Sequence, residues 1–474
     1  MKGRAQRTHP IQILHSLKRF VFFLILPFLQ GLFLGTGTLG QRLYGTGLNA
    51  LLVAGIVVFA MLDWRFRRVT LRGNRLTVEK GVFLRSEARL HTGRIEFMSV
   101  EHTPWLSLFR AARIHLETPG GSRRRPDFSF LLGKKAAEEL SETIFPRERG
   151  ELRVKTPFRK IILLAASWSN AASGLLVAVP FINRLGAVLG EDVAERIYEA
   201  AGFGQRLILA GTPPLFASLA WGFIAGWGVA FLSRLFQYGR FWAGSDGDVI
   251  VTEAGLISRR RNITRRAAIH AVILRQSLPM VLLRIHAVYL QVVGYGKQKG
   301  AQALLSAGKA GEVWDRVEEL TGLRRPEGRT LRPLASCRRH AVAAPIIALT
   351  MTSLGCAGWI IFRPESWDYA AILWGFLGAL ELWRLCICLM GFRRAGVCFS
   401  GETVEISTHR RFSLIQGILP RERIQEIRVT QSRGQRKRGD CSLSLWIYGE
   451  GKSRISVRGL RYSEVLDCLF SRSE

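Results

Sequence analysis

No cysteine occurs before Cys337, and the seven present lie in the last third of a 474-residue chain. Their odd number and irregular spacing exclude a disulfide framework and a zinc ribbon. Cys386 and Cys388 fall in an apolar run and read as small helix-packing residues. Acidic residues are scarce, with 36 Asp+Glu against 68 Lys+Arg and a net charge of +32. Absent as well are GxxxxGK[ST], HExxH and GxSxG, which excludes P-loop, zincin and serine-hydrolase chemistry. The nearest lookalike, GYGKQKG at residues 294–300, has the wrong spacing and reads as a hairpin turn. None of the nine histidines forms an i, i+4 pair backed by a carboxylate. The chain is therefore expected to have no catalytic residue, no metal and no cofactor. Its basic clusters lack interleaved aromatics and a reading motif, so nucleic acid is not an expected partner.

What is present is apolar. The chain is 48% hydrophobic, and apolar runs at 20–36, 44–62, 161–182, 207–232, 341–362 and 369–391 have about the length that crosses ~30 Å of hydrocarbon. In pairs they predict helical hairpins at 20–62, 161–232 and 341–391. Between them lie a basic leader (1–19) and soluble blocks at 63–160, 233–340 and 392–474. Counting Lys+Arg minus Asp+Glu, the leader and the blocks carry +5, +10, +11 and +7. The short loops inside the hairpins are close to neutral. That asymmetry predicts cytoplasmic termini and cytoplasmic blocks on a multi-pass bacterial inner-membrane protein.

The blocks repeat. Residues 81–103 (GVFLRSEARLHTGRIEFMSVEHT), 255–277 (GLISRRRNITRRAAIHAVILRQS) and 410–432 (RRFSLIQGILPRERIQEIRVTQS) share one order of apolar and polar positions. Gly81 and Gly255 each precede an isoleucine by the same interval (Ile95, Ile269), whereas the third copy has Arg410 in place of the glycine. Met98, Val272 and Ile427 fall in step, as do Val100, Leu274 and Val429, and then Thr103, Ser277 and Ser432. Each block is rich in strand-like alternation and closes on one amphipathic helix, at 134–145, within GKAGEVWDRVEELTGL, and at RYSEVLDCLF.

The helix pair, the glycine before an Arg-rich strand, the Arg94-Ile95 and Arg423-Ile424 strand entries and the Gln-Ser steps at 276–277 and 431–432 resemble the bacterial PH-like membrane proteins of the YdbS/YdbT kind. The resemblance covers the chain after residue 20 and matches the longer, three-unit form. It implies a fold class of six transmembrane helices as three hairpins, each followed by a PH-like small sheet or barrel capped by a C-terminal helix. It implies no chemistry.

Candidate binding residues are the cationic clusters: Arg123, Arg124 and Arg125; Arg259, Arg260, Arg261, Arg265 and Arg266; Arg410 and Arg411; Arg436, Lys437 and Arg438. Near an anionic bilayer each Lys or Arg contributes about 1 kcal/mol. Glu381 and Arg384 fall in the last apolar run, three residues apart, as an intramembrane polar pair. The expected function is a non-catalytic scaffold, binding anionic headgroups or a protein partner such as a shorter single-unit family member, in envelope maintenance. The alternative is a transporter or channel component for a lipid-like or ionic cargo, with Glu381 and Arg384 lining its path.

Overall fold

The computed structural model describes residues 5–17, 20, 39–119, 127–146, 152–168, 214–292, 302–308, 310–447 and 453–470. Three units follow one another in the chain. The first comprises β1 (Ala5–Arg7), α1 (Gln12–Leu17), α2 (Leu39–Phe66), β2 (Arg68–Arg72), β3 (Arg75–Lys80), β4 (Ser86–His91), β5 (Phe97–His102), α3 (Pro104–Leu108), β6 (Ala111–Glu117), β7 (Phe128–Gly133) and α4 (Lys134–Ile144). The second comprises β8 (Leu152–Lys155), α5 (Phe158–Trp168), α6 (Pro214–Tyr238), β9 (Trp242–Asp246), β10 (Val249–Ala254), β11 (Arg259–Arg265), β12 (Ile269–Ser277), α7 (Leu278–Leu282), β13 (His286–Val292), β14 (Gln302–Gly308) and α8 (Ala310–Thr321). The third comprises β15 (Thr330–Leu331), α9 (Arg338–Phe362), α10 (Trp367–Arg394), β16 (Gly396–Ser400), β17 (Thr403–Arg410), β18 (Ser413–Pro420), β19 (Ile424–Thr430), α11 (Arg433–Arg438), β20 (Asp440–Ile447), β21 (Ser453–Arg461) and α12 (Tyr462–Phe470).

Every unit has a four-stranded antiparallel layer, a three-stranded layer and a closing helix. Period-two alternation puts one face of each strand inside. In the first unit Leu71, Leu76, Ile95, Met98, Ile114 and Leu132 form a core with Leu140 and Ile144 of α4. Buried residues 137, 140, 141 and 144 give α4 a stripe at helical spacing, so it covers the open end of the sheet. The basic leader is more than a tail, because Ala5–Arg7 pairs with β2 as the fourth strand of its layer.

The units are joined strand to strand. β5 of the first pairs antiparallel with β11 of the second, from Phe97↔Thr264 to His102↔Arg259. β12 of the second pairs with β18 of the third, from Val272↔Ile418 to Ser277↔Ser413. The pair Met98↔Ile263 in the first joint thus has its counterpart in Val272↔Ile418. Two seven-stranded sheets result, each straddling adjoining units. Cores interlock across the joints, with Ile263 in the first core and Ile418 in the second. The counterparts left over, β4 and β19, are edges of their sheets. Each carries its own ion pair, Arg89–Glu87 at 2.8 Å and Arg428–Glu426 at 2.6 Å, and charged edge strands resist further pairing.

The shared glycine has a backbone cause. Gly81 and Gly255 have φ of +118° and +116°, and a Cβ there would meet the carbonyl oxygen of Leu84 at 1.9 Å or of Ser258 at 2.0 Å. Only glycine takes that conformation cheaply. The third copy turns differently, with Arg411 at φ 40°. Gly255→Ala is therefore expected to destabilise the protein by about 1–3 kcal/mol, read as a lower denaturant midpoint. Arg410→Ala, in the equivalent place, should cost little.

The expected six transmembrane helices in three hairpins are corrected. Among the described residues, two helices, Ala335–Phe362 and Tyr369–Arg394, are long and apolar enough to cross a bilayer. α2 places Arg42 and Asn49 in its first half and Asp63 and Arg65 near its end. Its side chains are described from residue 50 on, and the charge-free part of that stretch, 50–62, is shorter than the ~17–25 residues a span needs. α5 is 11 residues long, and the rest of the expected 161–182 run lies outside the described residues. So does the 20–36 run beyond Phe20, and so does the part of 207–232 before Pro214.

Candidate lipid-facing site

The apolar stretch of α9 begins just after Arg338, Arg339 and His340, all exposed. Beside it stands α11. Its sequence RGQRKR is a poor candidate for a stable helix on its own, and its ends hold it. Ser432 and Gln435 form a reciprocal capping box, and Gly439 leaves the helix at φ 72°. One cation is spent internally: Arg438 Nε donates to Asp440 Oδ1 at 3.0 Å, and Gln435 donates to the other carboxylate oxygen at 3.0 Å. Asp440 is buried, so this pair fixes α11 on β20. Arg438 Nη1 also lies 3.3 Å from His340 Nε2, which places α11 at the foot of α9. Arg433, Arg436 and Lys437 remain exposed on α11, and Arg338 and Arg339 are exposed at the start of α9.

Arg410 and Arg411 sit at the β17–β18 turn, where the ring of Phe412 meets Trp383 of α10 edge-on at 6.4 Å. α10 ends in Arg393 and Arg394. Arg394 Nη1 donates to Gln276 Oε1 at 3.1 Å, across the joint between the second and third units. A cavity of about 360 Å³ opens there, lined among others by Arg325, Arg332, Arg393, Arg394 and Glu405. Arg325 is paired with Glu405 at 3.0 Å and stacks over Trp314 at 5.0 Å. The remaining arginines make the cavity cationic.

The sequence-predicted clusters therefore separate. Arg410, Arg411, Arg436 and Lys437 are exposed around the membrane helices. Arg123, Arg124 and Arg125 lie outside the described residues. The cluster on β11 is built into the first joint. Arg260 Nε donates to Ser99 Oγ at 3.0 Å and lies 3.4 Å from Glu101. Arg265 Nε donates to the carbonyl of Ile95 at 3.0 Å, and Arg266 donates to Ser245 Oγ. Arg261 is partly buried beside β5, and Arg259 alone of the five is fully exposed. Arg384 Nη1 donates to both carboxylate oxygens of Glu381, at 2.7 and 2.6 Å, so each side chain satisfies the other on one helix.

Sequence reasoning missed Arg338, Arg339, Arg393 and Arg394, which sit at helix ends that read only as span boundaries. It also stopped the repeat at Thr103, Ser277 and Ser432. One position further, each copy starts a short helix: PWLSL, LPMVL or RGQRKR.

Residues 21–148 match the family model of the bacterial PH domain. Over 471 aligned residues the chain is 21% identical to the UPF0699 transmembrane protein YdbT of Bacillus subtilis (strain 168), covering 92% of this chain and 91% of that one. The chain is thus similar to YdbT along most of its length, and its first unit matches the bacterial PH domain. The second and third units repeat the element order of the first, where the match falls. Two helices among the described residues are long and apolar enough to cross a bilayer, and the relative is named a transmembrane protein; both support membrane association. No solved structure matches it.

Proposed function

We propose that this YdbT-like protein is a non-catalytic scaffold of the bacterial inner membrane. Its units face the cytoplasm, and its third unit holds anionic lipid headgroups in support of the envelope. The observation that carries this is the contact of Arg438 with His340. It sets α11, which carries the exposed Arg433, Arg436 and Lys437, at the foot of α9, where Arg338 and Arg339 are exposed too. The excess of positive charge in the soluble blocks supports the cytoplasmic orientation. A shorter, single-unit relative is a reasonable protein partner for such a scaffold.

Three cations within reach of the headgroup plane should favour an anionic lipid by up to about 3 kcal/mol. The test uses the full chain reconstituted in mixed bilayers with spin-labelled phosphatidylglycerol or phosphatidylcholine. The expected result is preferential immobilisation of the anionic label by the wild type. In the triple variant Arg433→Ala, Arg436→Ala, Lys437→Ala that preference should drop roughly ten-fold or more. Equal immobilisation of both labels by the wild type would overturn the reading.

A further inference from the structure

The short helix after the first strand of the three-stranded layer recurs in every unit as α3, α7 and α11. Thr103, Ser277 and Ser432 precede it, and the chain leaves it through a left-handed residue each time: Arg110 at φ 51°, Arg284 at 54° and Gly439 at 72°. In each unit it lies against the first helix or the residue just ahead of it. Leu106 packs with Ile11, just ahead of α1. Ser277 Oγ donates to the carbonyl of Ser167 in α5 at 3.1 Å. Arg438 reaches His340 in α9. The hairpin tip before the third strand's counterpart behaves alike and docks on each unit's second long helix. Phe83 stacks on Phe59 of α2 at 6.1 Å, Leu256 N–H donates to the carbonyl of Phe236 in α6 at 2.9 Å, and Phe412 meets Trp383 of α10.

In the third unit these two features flank the helices long enough to span a bilayer, and beside the partly exposed Phe412 they present the cations Arg410, Arg411, Arg433, Arg436 and Lys437. In the first two units the same positions are apolar and bare. Phe83 and Leu84 are 87% and 88% exposed, Trp105 and Leu108 both 74%, and Leu282 78%. Exposed apolar residues concentrated at two repeated positions, with a tryptophan among them, fit the boundary between headgroups and acyl chains.

We infer that the first and second units dip their hairpin tips and short helices into the lipid–water boundary. Phe83, Leu84, Trp105 and Leu108 would enter from the first unit, and Leu282 and Leu283 from the second. The occupant is lipid because the level is set by the third unit, where the equivalent elements sit at the foot of α9 and beside α10. The inference shares the membrane-facing reading above but needs no anionic lipid. Three units of one fold would then divide the work, two gripping the bilayer by apolar insertion and one by charge.

The test is difference fluorescence of the full chain in purely zwitterionic bilayers, wild type minus Trp105→Phe, with lipids brominated near the headgroup end of the chain or deep within it. The Trp105 component should emit in the blue and be quenched most by the shallow bromines. Phe83→Trp in the Trp105→Phe background should add a second quenched component. Water-like emission untouched by bromolipid overturns the inference. Blue emission that bromolipid does not quench also overturns it, since it would put Trp105 against protein, such as a second copy of the chain. Because no anionic lipid is present, either outcome is independent of the headgroup selectivity measured above.

Discussion

Arg260→Met should lower the unfolding free energy by about 3 kcal/mol, although Arg260 looks like one of many surface cations. Arg260 and Glu101 stand directly opposite in the first joint. The Glu101 side chain is only 4% exposed, with Arg260 Nε at 3.4 Å and His115 Nε2 at 3.7 Å. Removing one partner of a buried ion pair costs about 3–5 kcal/mol, because the other charge stays buried with less compensation. Arg260 keeps some solvent contact, which argues for the low end of that range. The double variant Glu101→Gln, Arg260→Met should recover most of the loss, since it removes the stranded charge. Denaturant unfolding of the full chain in detergent for the four members of this cycle measures the coupling. A coupling near zero would mean that the pair does not hold the joint.

The second large effect is on pH. His270 is buried at the start of β12, and burial, assisted by Arg423, pushes its pKa down from 6.5 to about 4. A base depressed on folding favours the neutral folded form. Its contribution is fully present above pH 6.5 and is lost as pH falls from 6.5 towards 4. The difference is about 3 kcal/mol across that window. Glu96, at the equivalent place in the first unit, has its carboxyl raised by burial and shifts stability the opposite way as acid is added. His270→Gln isolates the histidine and copies Gln425, the third unit's residue at that position. Between pH 6.5 and 4.5 the variant should lose less stability than the wild type, the difference being most of that ~3 kcal/mol. Parallel pH profiles would refute this role for His270.

Much of the architecture is legible in the sequence, because repetition is a one-dimensional signal. Gly81 and Gly255, the aligned strand residues and the amphipathic closing helices mark the units before any coordinates. The joints are less legible. Arg259–Arg265 reads as a candidate binding cluster, since nothing local to RRRNITR names Glu101 and Ser99, more than 150 residues earlier, as its partners. A clue lies in β12, whose sequence IHAVILRQS is buried along most of its length. A strand apolar on both faces sits inside a covered sheet rather than at its edge. Hydropathy also named six spans, of which the described residues hold two helices long and apolar enough.

The lipid-facing residues escaped because they are ordinary in isolation. PWLSL and LPMVL each look like a core turn, and RGQRKR looks like a loose basic loop. Only when the three are superposed as one element does the exchange of apolar for cationic side chains become visible. The foot of α9 is likewise a product of the fold, because the Arg438–His340 and Arg438–Asp440 contacts bring α11 to it from nearly 100 residues away.

Edge-to-edge joining of the units is tested most directly by a cross-link at the first joint. In a background with the seven native cysteines replaced, Ser99→Cys and Asn262→Cys occupy opposed positions on β5 and β11, within the Cα separation of ~4.4–6.8 Å that a disulfide requires. Mild oxidation of the full-length double variant should join the two cysteines within one chain. Proteolysis between residues 169 and 200 would then release no separate fragments until reductant is added. Fragments that part under oxidising conditions, or a cross-link that forms only between two chains, would contradict the account.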